Sequence, residues 1–163
     1  MNLLTAEEVI AALGLEPHPL EGGFFRETYR TGHMHGQERP LATGIYYLLT
    51  PQSCSALHRL PGDELFHFYL GDPVRQLQLY PDGAGKEFTL GTDLAAGQVP
   101  QLVVTAGAWQ GSHLLGGPHG FALLGATMAP GFDYADYATS RRGELTARWP
   151  AFAELIAKLT PRG

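Results

Sequence analysis

Clusters of glycine and proline break the middle of this chain at short intervals, and that punctuation rules out a long-helix architecture. Leu60-Pro-Gly-Asp63, Gly71-Asp-Pro73, Pro81-Asp-Gly-Ala-Gly85 and Gly116-Gly-Pro118 are each a tight-turn composition, pairing residues that tolerate or impose special backbone angles with short polar neighbours. Between them lie short segments rich in β-branched, aromatic and leucine residues, over 41–50, 55–60, 65–70, 74–80, 87–90, 101–105, 112–115 and 121–128. An earlier strand is predicted within Glu21-Gly-Gly-Phe-Phe-Arg-Glu-Thr-Tyr-Arg30, followed by a polar loop over 31–40. With 21 Gly and 12 Pro among 163 residues, a bundle or coiled coil is excluded. Strands at this spacing, without helices between them, predict a mainly β sandwich or small barrel.

The ends of the chain read differently. Thr5 and Glu8 form a capping-box pattern, Leu4 is placed to staple onto Val9, and Gly14 closes the helix, so a short amphipathic helix is predicted within 1–16. Pro150 at a first helical position, with Phe152, Leu155, Ile156 and Leu159 at helical spacing, predicts a C-terminal helix over 145–160. The expected organisation is one domain, 1–163, with the barrel over 21–138. Eleven basic residues against sixteen acidic ones give a net charge of −5, which disfavours nucleic acid as a partner. The lone Cys54 permits no internal disulfide and reads as a small buried hydrophobe. Neither a secretory signal nor a membrane span is legible, so a cytoplasmic location away from membranes is the expectation.

Four segments together carry a family resemblance. Ser55-Ala-Leu-His-Arg-Leu-Pro-Gly-Asp-Glu-Leu-Phe-His-Phe-Tyr-Leu-Gly71 resembles the first cupin motif, with six residues between Glu64 and Gly71, and Gly107-Ala-Trp-Gln110 resembles the start of the second. Beyond that general pattern, Glu21–Arg30, Ile45-Tyr-Tyr-Leu-Leu49, the block from His58-Arg59 to Gly71, and Ala129-Pro-Gly-Phe-Asp-Tyr134 are similar to the fifth cupin family, catalogued as a domain of unknown function. The resemblance implies a double-stranded β-helix, or jelly-roll barrel, and commonly a homodimer. At the level of fold alone, it also reaches the sugar-nucleotide epimerases.

A metal-binding cupin of the usual type supplies His-x-His and Glu from its first motif and His from its second. In register with Glu64 and Gly71, His58 takes the first histidine position, and Leu60 stands at the second. In register with Gly107, Gln110 stands where the last histidine would be. Two ligands are thus replaced by groups ill suited to a transition metal, so no metal cofactor is expected. Any site would rest on His58, Glu64 and Gln110, completed by His67 or His113. Strand alternation opposes that completion, because it sets Glu64, Phe66, Phe68 and Leu70 on one face and Leu65, His67 and Tyr69 on the other.

What remains is acid–base chemistry. His58 is the candidate base, oriented by Glu64, with Tyr47 or Tyr69 as candidate acid. Arg26 or Arg59 would hold an anionic group, and Phe66, Phe68, Trp109 and Gln110 would line a small-molecule pocket; Arg26 has the alternative of pairing with Glu27. The leading expectation is a metal-independent sugar or sugar-nucleotide isomerase or epimerase. The alternatives are a carbohydrate- or metabolite-binding module without catalysis, a metal-dependent oxygenase or isomerase, and an interaction-only barrel.

Overall fold

A computed structural model describes residues 3–33 and 36–163; Met34 and His35, within the expected 31–40 loop, and Met1 and Asn2, within the 1–16 segment, lie outside the described residues. The strands are β1 (Glu16–Pro17), β2 (Phe24–Arg30), β3 (Thr43–Leu49), β4 (Cys54–Arg59), β5 (Glu64–Gly71), β6 (Val74–Leu79), β7 (Gly85–Leu90), β8 (Gln101–Val104), β9 (Trp109–Leu114) and β10 (Ala122–Met128). They form two antiparallel sheets, one in the order β1-β2-β3-β10-β5-β8 and one in the order β4-β9-β6-β7. This is the mainly β arrangement that the turn spacing predicts, in the jelly-roll form that the family resemblance implies.

Three apolar layers hold the sheets in place. Tyr47, Leu49, Phe66, Val74, Leu90, Leu102, Val104, Leu114 and Leu124 fill the interior between the sheets. On the outer face of the larger sheet, helix α1 (Ala6–Leu13) buries Val9 against Leu48, Phe121 and Leu123. Its capping box forms as expected, Thr5 Oγ1 accepting from Glu8 N at 3.2 Å and Glu8 Oε2 from Thr5 N at 2.8 Å, and Gly14 ends it at φ 63°. Leu4 stays exposed, so the expected staple onto Val9 is absent. On the outer face of the smaller sheet, Leu57, Leu77, Leu79 and Trp109 pack against Leu145, Trp149, Ile156 and Leu159 of the C-terminal segment.

That segment is not the single helix expected over 145–160. It divides into α2 (Arg142–Arg148) and α3 (Ala153–Lys158), joined by a 3-10 turn at Pro150–Phe152. Pro150 explains the break, because a proline disfavours helical angles in the residue before it, and Trp149 sits at φ −126°, ψ 65°. The break also turns the Trp149 indole so that its N–H donates to the Ala84 carbonyl at 3.1 Å.

Two irregularities position the site. Gly22 and Gly23 both have positive φ, 96° and 71°, and a Cβ on Gly22 would lie 2.3 Å from the Cys54 carbonyl oxygen. Only glycine lets the chain cross β4 this closely, and the crossing buries Glu21. The second is a β-bulge between Ser55 and His58 in β4, opposite β9. Without it, two residues three apart would face opposite sides; with it, Ser55 pairs with Ser112 and His58 with Gln110. The bulge donors are satisfied from outside the ladder, Ala56 N by the Glu21 carbonyl at 2.9 Å and Leu57 N by the Leu159 carbonyl at 2.8 Å.

Candidate functional site

His58 and Glu64, the histidine and glutamate singled out by motif register, line one cavity between the sheets. The bulge orients His58. Its Nδ1 lies 2.8 Å from the Ala56 carbonyl oxygen, which can only accept, so Nδ1 carries the proton. Burial holds the imidazole below its ordinary pKa, and the nearby Glu64 only partly offsets this, so the neutral ring keeps a lone pair on Nε2. The orienting group is thus a backbone carbonyl, not Glu64 as expected. Tyr137 stacks on the imidazole at 4.8 Å between centroids and 14° between planes.

Glu64 begins β5 and faces inward, as strand alternation requires. Its Oε2 accepts from Gln110 Nε2 at 2.7 Å. Burial, reinforced by the negative charge of Glu21 and opposed by His58 and Gln110, raises its pKa from 4.5 to about 7. A carboxyl poised near neutrality beside a neutral histidine is an acid and base separated by environment.

Two further groups reach this cavity from the segment before β2, and motif spacing did not point to them. Glu21 is largely but not fully buried, accepts from the Ser55 hydroxyl, and desolvation drives its pKa up. His18 accepts at Nδ1 from the backbone N–H groups of Leu20 and Glu21, at 3.3 and 2.9 Å, and burial lowers its pKa. The only sequence signal for this placement was the Gly22-Gly23 pair. Phe25, Ile45, Leu60, Met128, Phe132 and Tyr134 supply much of the remaining wall. The cavity is about 40 Å³, room for about three waters.

Several predicted site residues lie elsewhere. Tyr47 is buried beside the site, but its hydroxyl donates to the Gly22 carbonyl at 2.6 Å and does not line the cavity. Tyr69 lies on the outer face, 48% exposed, its hydroxyl stacked over Gly125, and cannot act as the acid. Arg26 is exposed over the Tyr46 ring at 5.8 Å, and it is Arg30 that pairs with Glu27. Arg59 covers the outer face of Trp109 at 4.8 Å, and Trp109 packs beneath the C-terminal helices away from the barrel mouth. Phe66 is interior core, and Phe68 packs against that core at the far end. Cys54 is half-buried at the protein surface, not in the core.

The donors do not suit a metal. Leu60 lines the cavity, whereas Gln110 is buried without lining it and presents its amide N–H to Glu64. His67 turns outward to Thr127 Oγ1 at 3.1 Å, and His113, on the outer face of β9, meets the Leu114 carbonyl at 2.9 Å. Neither completes a set with His58 and Glu64. Among the described residues, no three His, Cys, Asp or Glu side chains are arranged to hold a metal ion. Among them, too, no helix is long and apolar enough to cross a membrane.

Comparison with known proteins agrees with this architecture. Residues 7–140 match the family model described as cupin superfamily, DUF985. The uncharacterised protein YML079W of Saccharomyces cerevisiae is 33% identical over 141 residues, covering 76% of this chain and 69% of the yeast protein. Protein SO0799 of Shewanella oneidensis superposes with a TM-score of 0.89 at 35% identity, covering 97% and 98% of the two chains. A hypothetical protein from Leishmania major gives 0.87 at 31% identity, covering 96% and 99%. Oxalate decarboxylase of Bacillus subtilis, at 14% identity and a TM-score of 0.57 over 97% of this chain and 39% of its own, shares the fold alone. The chain belongs to the DUF985 family of the cupin superfamily.

Proposed function

We propose that the cavity carries out proton transfer on a small hydroxy-carbonyl compound, an isomerisation or epimerisation that needs no metal. The observation that carries this reading is the pairing of a neutral His58, fixed by Ala56, with a Glu64 carboxyl whose pKa is about 7, on one wall. His58 Nε2 takes a proton from the carbon beside the carbonyl. The C–H electron pair moves into the new C–C double bond, and Glu64 gives its proton to the carbonyl oxygen. Gln110 then steadies the resulting carboxylate through its Nε2–H. A proton returned to the neighbouring carbon, with the other enediol hydroxyl giving its proton to the Glu64 carboxylate and becoming the new carbonyl, isomerises the compound; a proton returned to the opposite face of the original carbon, with the first hydroxyl giving its proton back to Glu64, epimerises it. The 40 Å³ cavity admits the reacting atoms and leaves the rest of the substrate outside, so an intact sugar nucleotide does not lie within it.

The test is deuterium uptake from D2O, followed by NMR, over a panel of short aldoses, ketoses and hydroxy-ketones. Uptake by the native chain that falls at least a hundredfold in both His58→Gln and Glu64→Gln supports the reading. Uptake that survives His58→Gln overturns it. Binding without any uptake overturns it as well, in favour of a non-catalytic binding module.

A further inference from the structure

A second and much larger concavity lies on the far side of Tyr137. It runs between β4 and the C-terminal segment, encloses about 920 Å³, and so has the dimensions of a small-molecule site. Glu21 lines both this groove and the inner cavity. Tyr137 forms part of the groove wall while its ring stacks on His58, so one aromatic ring separates the groove from the imidazole.

The groove has two features of an unfilled anion site. Arg141, Lys158 and Arg162 all line it, and among the described residues none of the three is in an ion pair. Two side-chain carboxylates share the groove: Glu144 accepts from the Ser140 hydroxyl at 2.8 Å, and burial raises the pKa of Glu21. The second feature is the Tyr137 hydroxyl, which is buried and has no hydrogen-bond partner. A buried hydroxyl without a partner is uncommon in a folded protein.

We infer that this groove binds the phosphate group of a phosphorylated substrate, whose reacting end passes Tyr137 to reach His58. The inference rests on the proposed proton transfer for its catalytic meaning, but the groove's affinity for phosphate does not. The three cations outnumber the two side-chain carboxylates of the groove, and the guanidinium forks of Arg141 and Arg162 suit the several oxygens of a phosphate monoester. Two groups from one molecule would thus be held apart, the charged end in the wide groove and the carbonyl fragment in the narrow cavity.

The experiment titrates the full chain with inorganic phosphate and, separately, with acetate, reading backbone amide shifts by NMR. Saturable shifts at Thr139, Ser140, Arg141, Thr160 and Arg162 are expected with phosphate, at least tenfold weaker with acetate. Arg141→Gln with Arg162→Gln should weaken phosphate at least tenfold, while Lys86→Gln on β7 leaves it unchanged. Shifts that do not saturate, or an affinity within twofold in the double variant, would overturn the site. Passage is read by carbethoxylation of His58, quantified by mass spectrometry. Tyr137→Ala should speed it at least tenfold and Tyr137→Phe should not; equal rates in all three proteins overturn the route. His58→Gln should retain phosphate binding, so failure of the groove and failure of the reaction give different results.

Discussion

Replacing Glu64 by glutamine should stabilise the protein at alkaline pH and do little at acid pH. In the folded chain the Glu64 carboxyl titrates at about 7 in place of 4.5, chiefly because it is buried and secondarily because Glu21 is nearby. Between those values the unfolded chain has released a proton that the folded chain still holds. The stabilisation is therefore fully present below pH 4.5 and lost as pH rises through about 7. At about 1.4 kcal/mol for each tenfold change in proton affinity, the interval corresponds to about 3 kcal/mol. Glutamine does not ionise, and its amide oxygen can still accept from Gln110, so Glu64→Gln removes the titration with little change in packing. Urea unfolding of both proteins at pH 4.5, 6, 7 and 8 measures the effect. The advantage of Glu64→Gln over the native chain should grow by about 3 kcal/mol from the lowest pH to the highest. A difference that stays constant to within about 0.5 kcal/mol would show that Glu64 is not held protonated, and the acid role would fall with it.

Three further outcomes follow from the same geometry. Gly22→Ala sets a Cβ 2.3 Å from the Cys54 carbonyl oxygen at a φ of 96°; it should lower stability by about 3 kcal/mol, read as a fall in thermal midpoint, and a midpoint unchanged within error would contradict the crossing described for Glu21. Gln110→Leu removes the amide that favours the charged form of Glu64, so the alkaline limb of deuterium exchange should move to higher pH. A limb that stays in place, measured as exchange rate against pH, would show that Gln110 does not tune the carboxyl. Leu60 lines the cavity beside His58, so Leu60→His with Gln110→His should create a site that retains Co²⁺ through dialysis. Metal content equal to that of the native chain would mean that the two positions do not converge.

Motif register placed His58, Glu64 and Gln110 together because strand alternation carries position along the sequence into position across the barrel. The same alternation set His67 and Tyr69 on the outer face, where both lie. Tyr69 was nevertheless a candidate acid on residue type alone, and residue type does not overcome the wrong face of a strand. His18 and Glu21 escaped because neither belongs to a strand with a readable alternation. Their positions depend on the two positive-φ glycines and on hydrogen bonds to distant segments, Ala56 N to the Glu21 carbonyl and Ser55 to the Glu21 carboxyl. Tyr137 and the cationic groove escaped for a related reason. The break at Pro150 sends the C-terminal segment back over β4, and a helix pattern does not say which sheet face it will cover.

The bulge in β4 shows why the chemistry of His58 was the least legible part of the site. A regular strand would send the Ala56 and Leu57 backbone groups into the ladder and leave a buried imidazole to find its orienting partner among side chains, which made Glu64 the natural candidate. The extra residue instead frees the Ala56 carbonyl, and that oxygen fixes which nitrogen carries the proton. Glu64 is thereby released from orienting the base and is held by Gln110. An acid and a base that leaned on each other would share one proton and titrate together. Held separately, one by the backbone and one by an amide, they stand ready in opposite protonation states at the same pH.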